Sequence, residues 1–168
     1  MHLRAILLVS LLSICACAGA QSISDKAAKD EVIVRDNSDP AMRKALARAA
    51  ETLPEFLRLA ASPKAGTARY ALKVGISDGR NTEYFWVNNF SRDGNSFAGT
   101  LNNEPRLVKI HKIGDRVTFT HKQIANWTYV DERNNRMMGN FTACALLSKE
   151  PPDQAAAFKR QYGLACEE

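Results

Sequence analysis

The change of hydrophobic period after Gly66 constrains the fold more than any other feature of this chain. Apolar residues alternate with smaller or polar ones over residues 70–76, which indicates a half-buried strand. From there to residue 148, short apolar runs are separated by turn-forming clusters, and no helical pattern intervenes. Because parallel strands need long crossover connections, the pattern predicts a bent antiparallel sheet of five to seven strands. The predicted strands are residues 70–76, 83–90, 96–101, 107–110, 116–120, 127–130 and 137–147.

Helical patterns lie on both sides of the predicted sheet. Asn37-Ser38-Asp39-Pro40 supplies a capping side chain followed by proline at the first helical position. Thr52 repeats the capping signal two residues before a second proline, so residues 40–61 form either one Pro-interrupted helix or two abutting helices. Residues 153–162 are predicted to form a C-terminal helix that ends at Gly163. The predicted class is α+β, with an N-terminal Pro-interrupted helix, the bent antiparallel sheet and a C-terminal helix.

The first twenty residues have the pattern of a secretory signal peptide. Met1–Arg4 carries one positive charge, residues 5–14 are almost all apolar, and Ala18-Gly19-Ala20 places small residues before Gln21. Cleavage between Ala20 and Gln21 would make the protein periplasmic or secreted. Lipid attachment at Cys17 is the less favoured alternative, because a cysteine at position −2 is unusual in a lipoprotein box.

The rest of the chain is long enough for one domain and too short for two. Residues 21–37 are predicted to be a loose lead-in, and residues 38–168 a single α+β domain. No segment after the leader is apolar enough to span a bilayer, so no transmembrane segment is predicted. The formal net charge of +5 is spread along the chain without a run of five like charges. This distribution argues against a nucleic-acid partner.

Two cysteines, Cys144 and Cys166, remain after the leader is removed. An even pair in an oxidising compartment predicts a disulfide rather than a metal site or a nucleophile. Closing this loop would stabilise the fold by roughly 3 kcal/mol on the chain-entropy model. The bridge is expected to hold the C-terminal helix against the strand that carries Cys144.

Aromatic and polar residues provide the candidates for a partner surface. Tyr84, Trp86 and Trp127 could present flat rings to a ligand, and Asn102 and Glu104 lie in a turn just before a proline. On the functional interpretation, the turn forms a polar rim around a groove floored by the two tryptophans. On the structural interpretation, which is favoured, Asn102 or Glu104 accepts the N–H of a buried tryptophan.

Metal and cofactor chemistry find little support in the sequence. His111 and His121 each lie beside a lysine, and a zinc site needs at least three convergent ligands. The chain has neither a phosphate-binding loop nor the nucleophile elbow of a serine hydrolase. No catalytic residue, metal or cofactor is therefore predicted.

Six short motifs follow one another between residues 84 and 142. They are Tyr84–Val87, Phe97–Gly99, Leu101–Pro105, Ile113–Val117, Ile124–Trp127 and Met138–Thr142. In this order and spacing they resemble the YegJ-like family, the bacterial domain of unknown function 2314, with a core likeness over residues 70–147. The resemblance implies a fold and no particular activity. Asn126 stands where the family usually carries Asp, which puts an acid role at that position in doubt.

The leading functional hypothesis is a non-enzymatic binding module for a protein partner, for example a toxin that it neutralises. Tryptophan and tyrosine would anchor the partner, and Arg92, Arg106 and Arg133 would form a rim. The alternative class is an envelope hydrolase that uses Glu104 with His111 or His121, or a protein that binds glycan or peptidoglycan.

Overall fold

The computed structural model describes residues 39–166. The predicted signal peptide, Cys17 and the lead-in over residues 21–37 lie outside the described residues. Within residues 39–166, no helix is long and apolar enough to cross a membrane. The elements are α1 (Pro40–Ala61), β1 (Thr67–Ser77), β2 (Thr82–Asp93), β3 (Ser96–Leu101), β4 (Arg116–Thr120), a 3-10 turn (His121–Gln123), β5 (Ile124–Asp131), β6 (Arg136–Gly139), α2 (Phe141–Leu147) and α3 (Pro152–Tyr162).

The six strands form one sheet in the order β4-β3-β2-β1-β5-β6, and every neighbouring pair is antiparallel. The main core lies between α1 and one face of this sheet. Its members include Leu53 and Phe56 from α1 and Leu72, Phe85 and Trp127 from the strands. The prediction of an α+β fold with an N-terminal helix, an antiparallel sheet and a C-terminal helix is confirmed.

Helix α1 begins where the capping motif predicts and continues without a break past its internal proline. The Asp39 carboxylate accepts the backbone N–H of Ala41 at 3.1 Å, and Pro40 occupies the first turn. Thr52 does not cap a second helix, because its hydroxyl donates to the carbonyl oxygen of Arg48 within the same helix. The buried stripe of α1 consists of Met42, Ala45, Ala49, Leu53 and Phe56.

The strand predicted at residues 107–110 is wrong, and this segment is a loop. The carboxylate of Glu83, on β2, accepts the backbone N–H groups of Arg106, Leu107 and Val108 at 2.9–3.1 Å. These N–H groups therefore donate to a side chain and do not form hydrogen bonds with a neighbouring strand. Val108 is fully buried in the core, which fixes the loop from the inside.

The strand predicted at residues 137–147 is correct only for its first part. The chain turns at Gly139 and Asn140, which have φ angles of 78° and 51°, and then enters α2. A Cβ atom at Gly139 would lie 2.4 Å from the carbonyl oxygen of Trp127, so this position accepts only glycine. Ala145 of α2 then packs against Met42 of α1.

Cys144 and Cys166 are joined in a disulfide, with their Cα atoms 5.6 Å apart. Cys144 lies on α2 and not on a strand, and Cys166 lies in the short segment that follows α3, so the bridge links α2 to the end of the C-terminal region. A small core of Leu147, Phe158 and Leu164 lies beside it. The bridge therefore attaches the segment that follows α3 to α2, beside this small apolar core.

Candidate functional site

The most distinctive feature of the sheet is the point at which its two central strands part. β1 and β2 pair from Ser77 and Thr82 as far as Ala71 and Asn88. Beyond this pair, β1 continues against β5 and β2 continues against β3. A cavity of about 510 Å³ lies at the separation, and we call it the strand-gap cleft. It is lined by Arg69, Tyr70, Asn88, Asn89, Phe90 and Asn102, together with Ala60 and Ala71.

Each of the two strands has a β-bulge at the cleft. The register of β1 against β5 shifts between Ala68 and Ala71, and that of β2 against β3 shifts between Asn88 and Ser91. Each bulge has two residues between its shifted pairs, and the first of them is Arg69 in β1 and Asn89 in β2. The φ angles of these two residues are 55° and 48°. Asparagine tolerates this left-handed conformation, whereas it strains a residue such as arginine by roughly 1–2 kcal/mol. Strain of this kind gathers at binding sites, and bulges often re-aim side chains there.

The bulges turn an aromatic ring from each strand toward α1. The rings of Tyr70 and Phe90 lie 5.8 and 6.0 Å from the ring of Phe56. Gly99 makes room on β3 for the second bulge, because a Cβ atom there would come within 2.4 Å of Val87 and 3.0 Å of Phe90. The aromatic side of the cleft is thus held in place by the core.

Backbone contacts fix the polar turn that borders the cleft. The N–H of Asn102 donates to the carbonyl oxygen of Trp86 at 2.9 Å. The buried side chain of Asn103 accepts the N–H of Trp86 at 2.8 Å. The structure thus brings Asn102 and Trp86 together. Contrary to what the sequence suggested, neither Asn102 nor Glu104 accepts an indole N–H from a tryptophan of the described chain. The turn instead accepts the backbone N–H of Trp86, and the acceptor is the side chain of Asn103.

Tyr84 and Trp86 lie on the face of β2 that also carries Asn88, because alternate residues of a strand point the same way. Both rings are half-buried. The ring of Trp86 lies over Lys73 of β1, whose Nζ is 5.4 Å from the ring centroid and whose side chain is 1% exposed. Tyr84 packs over Gly75. Tyr84 and Trp86 thus form a half-buried aromatic strip on β2, and the next residue on the same face, Asn88, lines the cleft.

Trp127 does not belong to this surface. It is 8% exposed, and its ring stacks on Phe56 with centroids 4.9 Å apart. Its Nε1–H donates to the carbonyl oxygen of Ala49 at 3.2 Å and to the hydroxyl of Thr52 at 3.1 Å. The hypothesis of a groove floored by two tryptophans is therefore wrong, because α1 covers the face of the sheet on which Trp127 lies.

The residues proposed for the hydrolase alternative are dispersed. Glu104 is exposed and is hydrogen-bonded to neither histidine in the part of the chain that the structure describes. His111 lies 3.7 Å from Asp115, whereas His121 lines a different cavity beside Arg92. Among residues 39–166, no three His, Cys, Asp or Glu side chains lie close enough together to hold a metal ion.

The predicted arginine rim does not line the cleft. Arg92 lies over the ring of Phe97, and Arg133 pairs with Asp131 at 2.8 Å. Arg106 follows the polar turn on the exposed loop. The guanidinium that lines the cleft belongs to Arg69, which sequence reasoning missed. No local pattern distinguishes Arg69, because its position depends on the bulge.

The electrostatics of the cleft favour a neutral or anionic ligand. Burial raises the pKa of the Tyr129 hydroxyl above its usual value, and the nearby Tyr70 and Asp131 act in the same direction. Tyr129 stacks on Tyr70 with centroids 5.3 Å apart and is uncharged at neutral pH. A hydrogen bond from Arg133 lowers the pKa of Asp131. Among the described residues that line the cleft there is one guanidinium and no carboxylate.

The fold defines a small α+β protein, and comparison with known families shows which family it belongs to. The model of the family "Uncharacterized protein conserved in bacteria (DUF2314)" matches residues 39–166, and the chain belongs to this family. It is similar to the uncharacterized protein YegJ of Escherichia coli (strain K12), with 26% identity over 153 residues that cover 91% of this chain and 94% of the relative. No solved structure gives a significant match.

Replacing Arg69 with glycine tests whether the bulge is strained. We expect Arg69→Gly to leave the free energy of unfolding unchanged or to raise it by up to about 1 kcal/mol, because glycine adopts the positive φ without penalty. Arg116→Gly on the edge strand β4 is the control, since the position is also exposed and glycine should cost about 0.5–1 kcal/mol there. Urea denaturation of both variants measures the difference. Equal destabilisation would show that Arg69 is unstrained.

Proposed function

We propose that this protein is a non-enzymatic binding module that holds a protein partner in the strand-gap cleft after export to the periplasm or beyond. The observation that carries the proposal is the mixed lining of the cleft, in which one guanidinium and three asparagine amides lie beside two half-buried aromatic rings. A toxin that the domain neutralises would be a partner of this kind. Glycan binding is the alternative ligand class.

The chemistry of the lining suits an extended, acidic segment of a protein. Asparagine amides both donate and accept, so they match the alternating groups of a peptide backbone. The guanidinium of Arg69 can bind a carboxylate through two parallel hydrogen bonds. The bulged edges of β1 and β2 face each other across the gap without pairing to one another, and strand edges are a recurrent site of peptide recognition.

The charge and the aromatic strip add to this proposal. The full sequence has a net charge of +5, to which the leader contributes only Arg4, so the exported chain stays positive and favours encounter with an acidic partner. Tyr84 and Trp86 provide rigid anchors next to the cleft, and such residues dominate the energetics of many interfaces. The strain at Arg69 is consistent with a position kept for binding rather than for stability.

Capture with isosteric bait variants tests the proposal. The chain, tagged after its C terminus and purified in the form the cell produces, would be crosslinked in envelope extracts, and the bound proteins identified by mass spectrometry. Asn102→Asp adds a negative charge at the rim without changing side-chain shape. We expect it to reduce recovery of the partner by about tenfold or more, because it repels an acidic segment.

Asn95→Asp is the matched control, because Asn95 is exposed in the β2–β3 hairpin away from the cleft lining. A stoichiometric partner recovered with the wild type and with Asn95→Asp, and lost with Asn102→Asp, would support the proposal. Equal recovery with both variants would show that the cleft is not the binding site. Recovery of the protein alone would contradict a protein partner.

A further inference from the structure

Exposed aliphatic side chains are concentrated in the loop that joins β3 to β4. Leu107, Ile110 and Ile113 are 57%, 63% and 53% exposed. In the part of the chain that the structure describes, the other large exposed hydrophobic residue is Tyr162, at 38%. Three of four such residues thus fall within seven positions, and a cluster of this kind marks an interaction surface. We call residues 102–115 the aliphatic loop.

The aliphatic loop has a fixed structure. Its two ends are joined by hydrogen bonds from the N–H of Leu101 to the carbonyl oxygen of Asp115 and from the N–H of Gly114 to that of Leu101, both 2.9 Å long. Its middle is held by Glu83, which accepts the N–H groups of residues 106–108, and by the buried Val108. The three aliphatic side chains point outward from a pinned loop rather than from a disordered one.

Basic residues are interleaved with these aliphatic side chains. Residues 106–113 contain Arg106, Lys109 and Lys112 and no acidic residue. The nearest acid that follows, Asp115, accepts the N–H of Lys112 and lies beside His111. The buried centre of a protein–protein interface is depleted in lysine. Aliphatic side chains flanked by lysine and arginine are instead typical of segments that enter the headgroup region of anionic membranes.

We propose that the aliphatic loop docks this protein on the surface of an anionic lipid bilayer. Leu107, Ile110 and Ile113 enter the boundary between headgroups and acyl chains, while the basic residues contact lipid phosphates. Asn102, at the start of the loop, lines the strand-gap cleft, but the aliphatic and basic side chains of residues 106–113 do not. This binding therefore does not rest on the partner proposed for the cleft. It is peripheral and reversible, because three aliphatic side chains bury far less apolar area than a membrane span.

Flotation with lipid vesicles tests this proposal. The chain, purified in the form the cell produces, would be mixed with vesicles of phosphatidylcholine alone or of phosphatidylcholine with phosphatidylglycerol. We expect the wild type to float with the anionic vesicles and to bind the neutral ones about tenfold more weakly. The triple variant Leu107→Ser/Ile110→Ser/Ile113→Ser should lose binding by about tenfold or more while keeping its fold, since all three side chains are exposed.

Two further variants separate lipid binding from other causes. Lys109→Glu/Lys112→Glu should also lose binding to anionic vesicles, whereas Lys159→Glu/Arg160→Glu, an equal charge change on α3, should retain most of it. Flotation of the triple serine variant equal to that of the wild type would overturn the proposal. A wild-type protein that does not bind anionic vesicles would also overturn the proposal. This holds even if the aliphatic loop proves necessary for capture of a protein partner.

Discussion

Replacing Trp127 with alanine is expected to lower the free energy of unfolding by about 3–5 kcal/mol, the largest effect of any single substitution proposed for this protein. The side chain is 8% exposed and stacks on Phe56 at a centroid distance of 4.9 Å. Its ring is perpendicular to that of Phe141, with the two centroids 5.3 Å apart. Truncation would leave a cavity at the centre of the contact between α1 and the sheet, and it would remove the N–H that donates to the carbonyl oxygen of Ala49 and the hydroxyl of Thr52.

Two variants separate these contributions in urea denaturation of the oxidised protein. Trp127→Phe keeps an aromatic ring against Phe56 but loses the Nε1–H group, so we expect a loss of about 1–2 kcal/mol. Trp86→Ala removes a half-buried ring from the outer face and should cost at least about 1 kcal/mol less than Trp127→Ala. Equal losses for Trp86→Ala and Trp127→Ala would contradict the assignment of Trp127 to the core.

The two tryptophans show which part of this structure can be predicted from the sequence. Both lie in predicted strands, because short apolar and aromatic-rich runs between turn-forming clusters are visible in the chain itself. Which face of the sheet is covered depends on where α1 packs, and that is a tertiary property. The sequence therefore indicated the strands around Trp86 and Trp127, but it could not show that only Trp127 is in the core.

The wrong strand assignments have a similar cause. Residues 107–110 have the local character of a strand, but the carboxylate of Glu83, more than twenty positions earlier, binds their N–H groups. Residues 141–147 also read as a strand, yet the positive φ angles of Gly139 and Asn140 redirect the chain into α2. In both segments, a contact or turn that propensity does not encode determines the structure.

The candidate site was predicted only in part. Trp86, which an aromatic strand makes conspicuous in the sequence, lies outside the cleft lining. Among the residues of the lining, Asn102 was singled out because it stands in a polar turn. Arg69 and Asn89 were not, because the bulges that position them depend on how β1 and β2 pair with their other neighbours. A site formed where two strands separate has no signature within either strand.

Replacing Cys144 and Cys166 with serine is expected to lower the free energy of unfolding by about 3 kcal/mol, because a crosslink across a 22-residue separation restricts the unfolded chain. Among the elements of the structure, α3 should lose the most local stability against opening. Apart from the bridge, this end of the chain is held by the Leu147–Phe158–Leu164 core and by backbone hydrogen bonds from Met137 to Gly163 and from Ala165 to Met137.

Hydrogen exchange and urea denaturation together check this prediction. Amide protons of α3 should exchange much faster in the double serine variant than in the wild type, while those of β1, at the centre of the sheet, should change only by the global loss of stability. Wild-type protein treated with a reductant is the matched control, because it loses the bond and keeps the residues. An unfolding midpoint that is unaffected by reduction would show that the bridge contributes nothing. Uniform acceleration across α3 and β1 would show that α3 unfolds only together with the sheet, and that the bridge stabilises the whole domain rather than its C-terminal end.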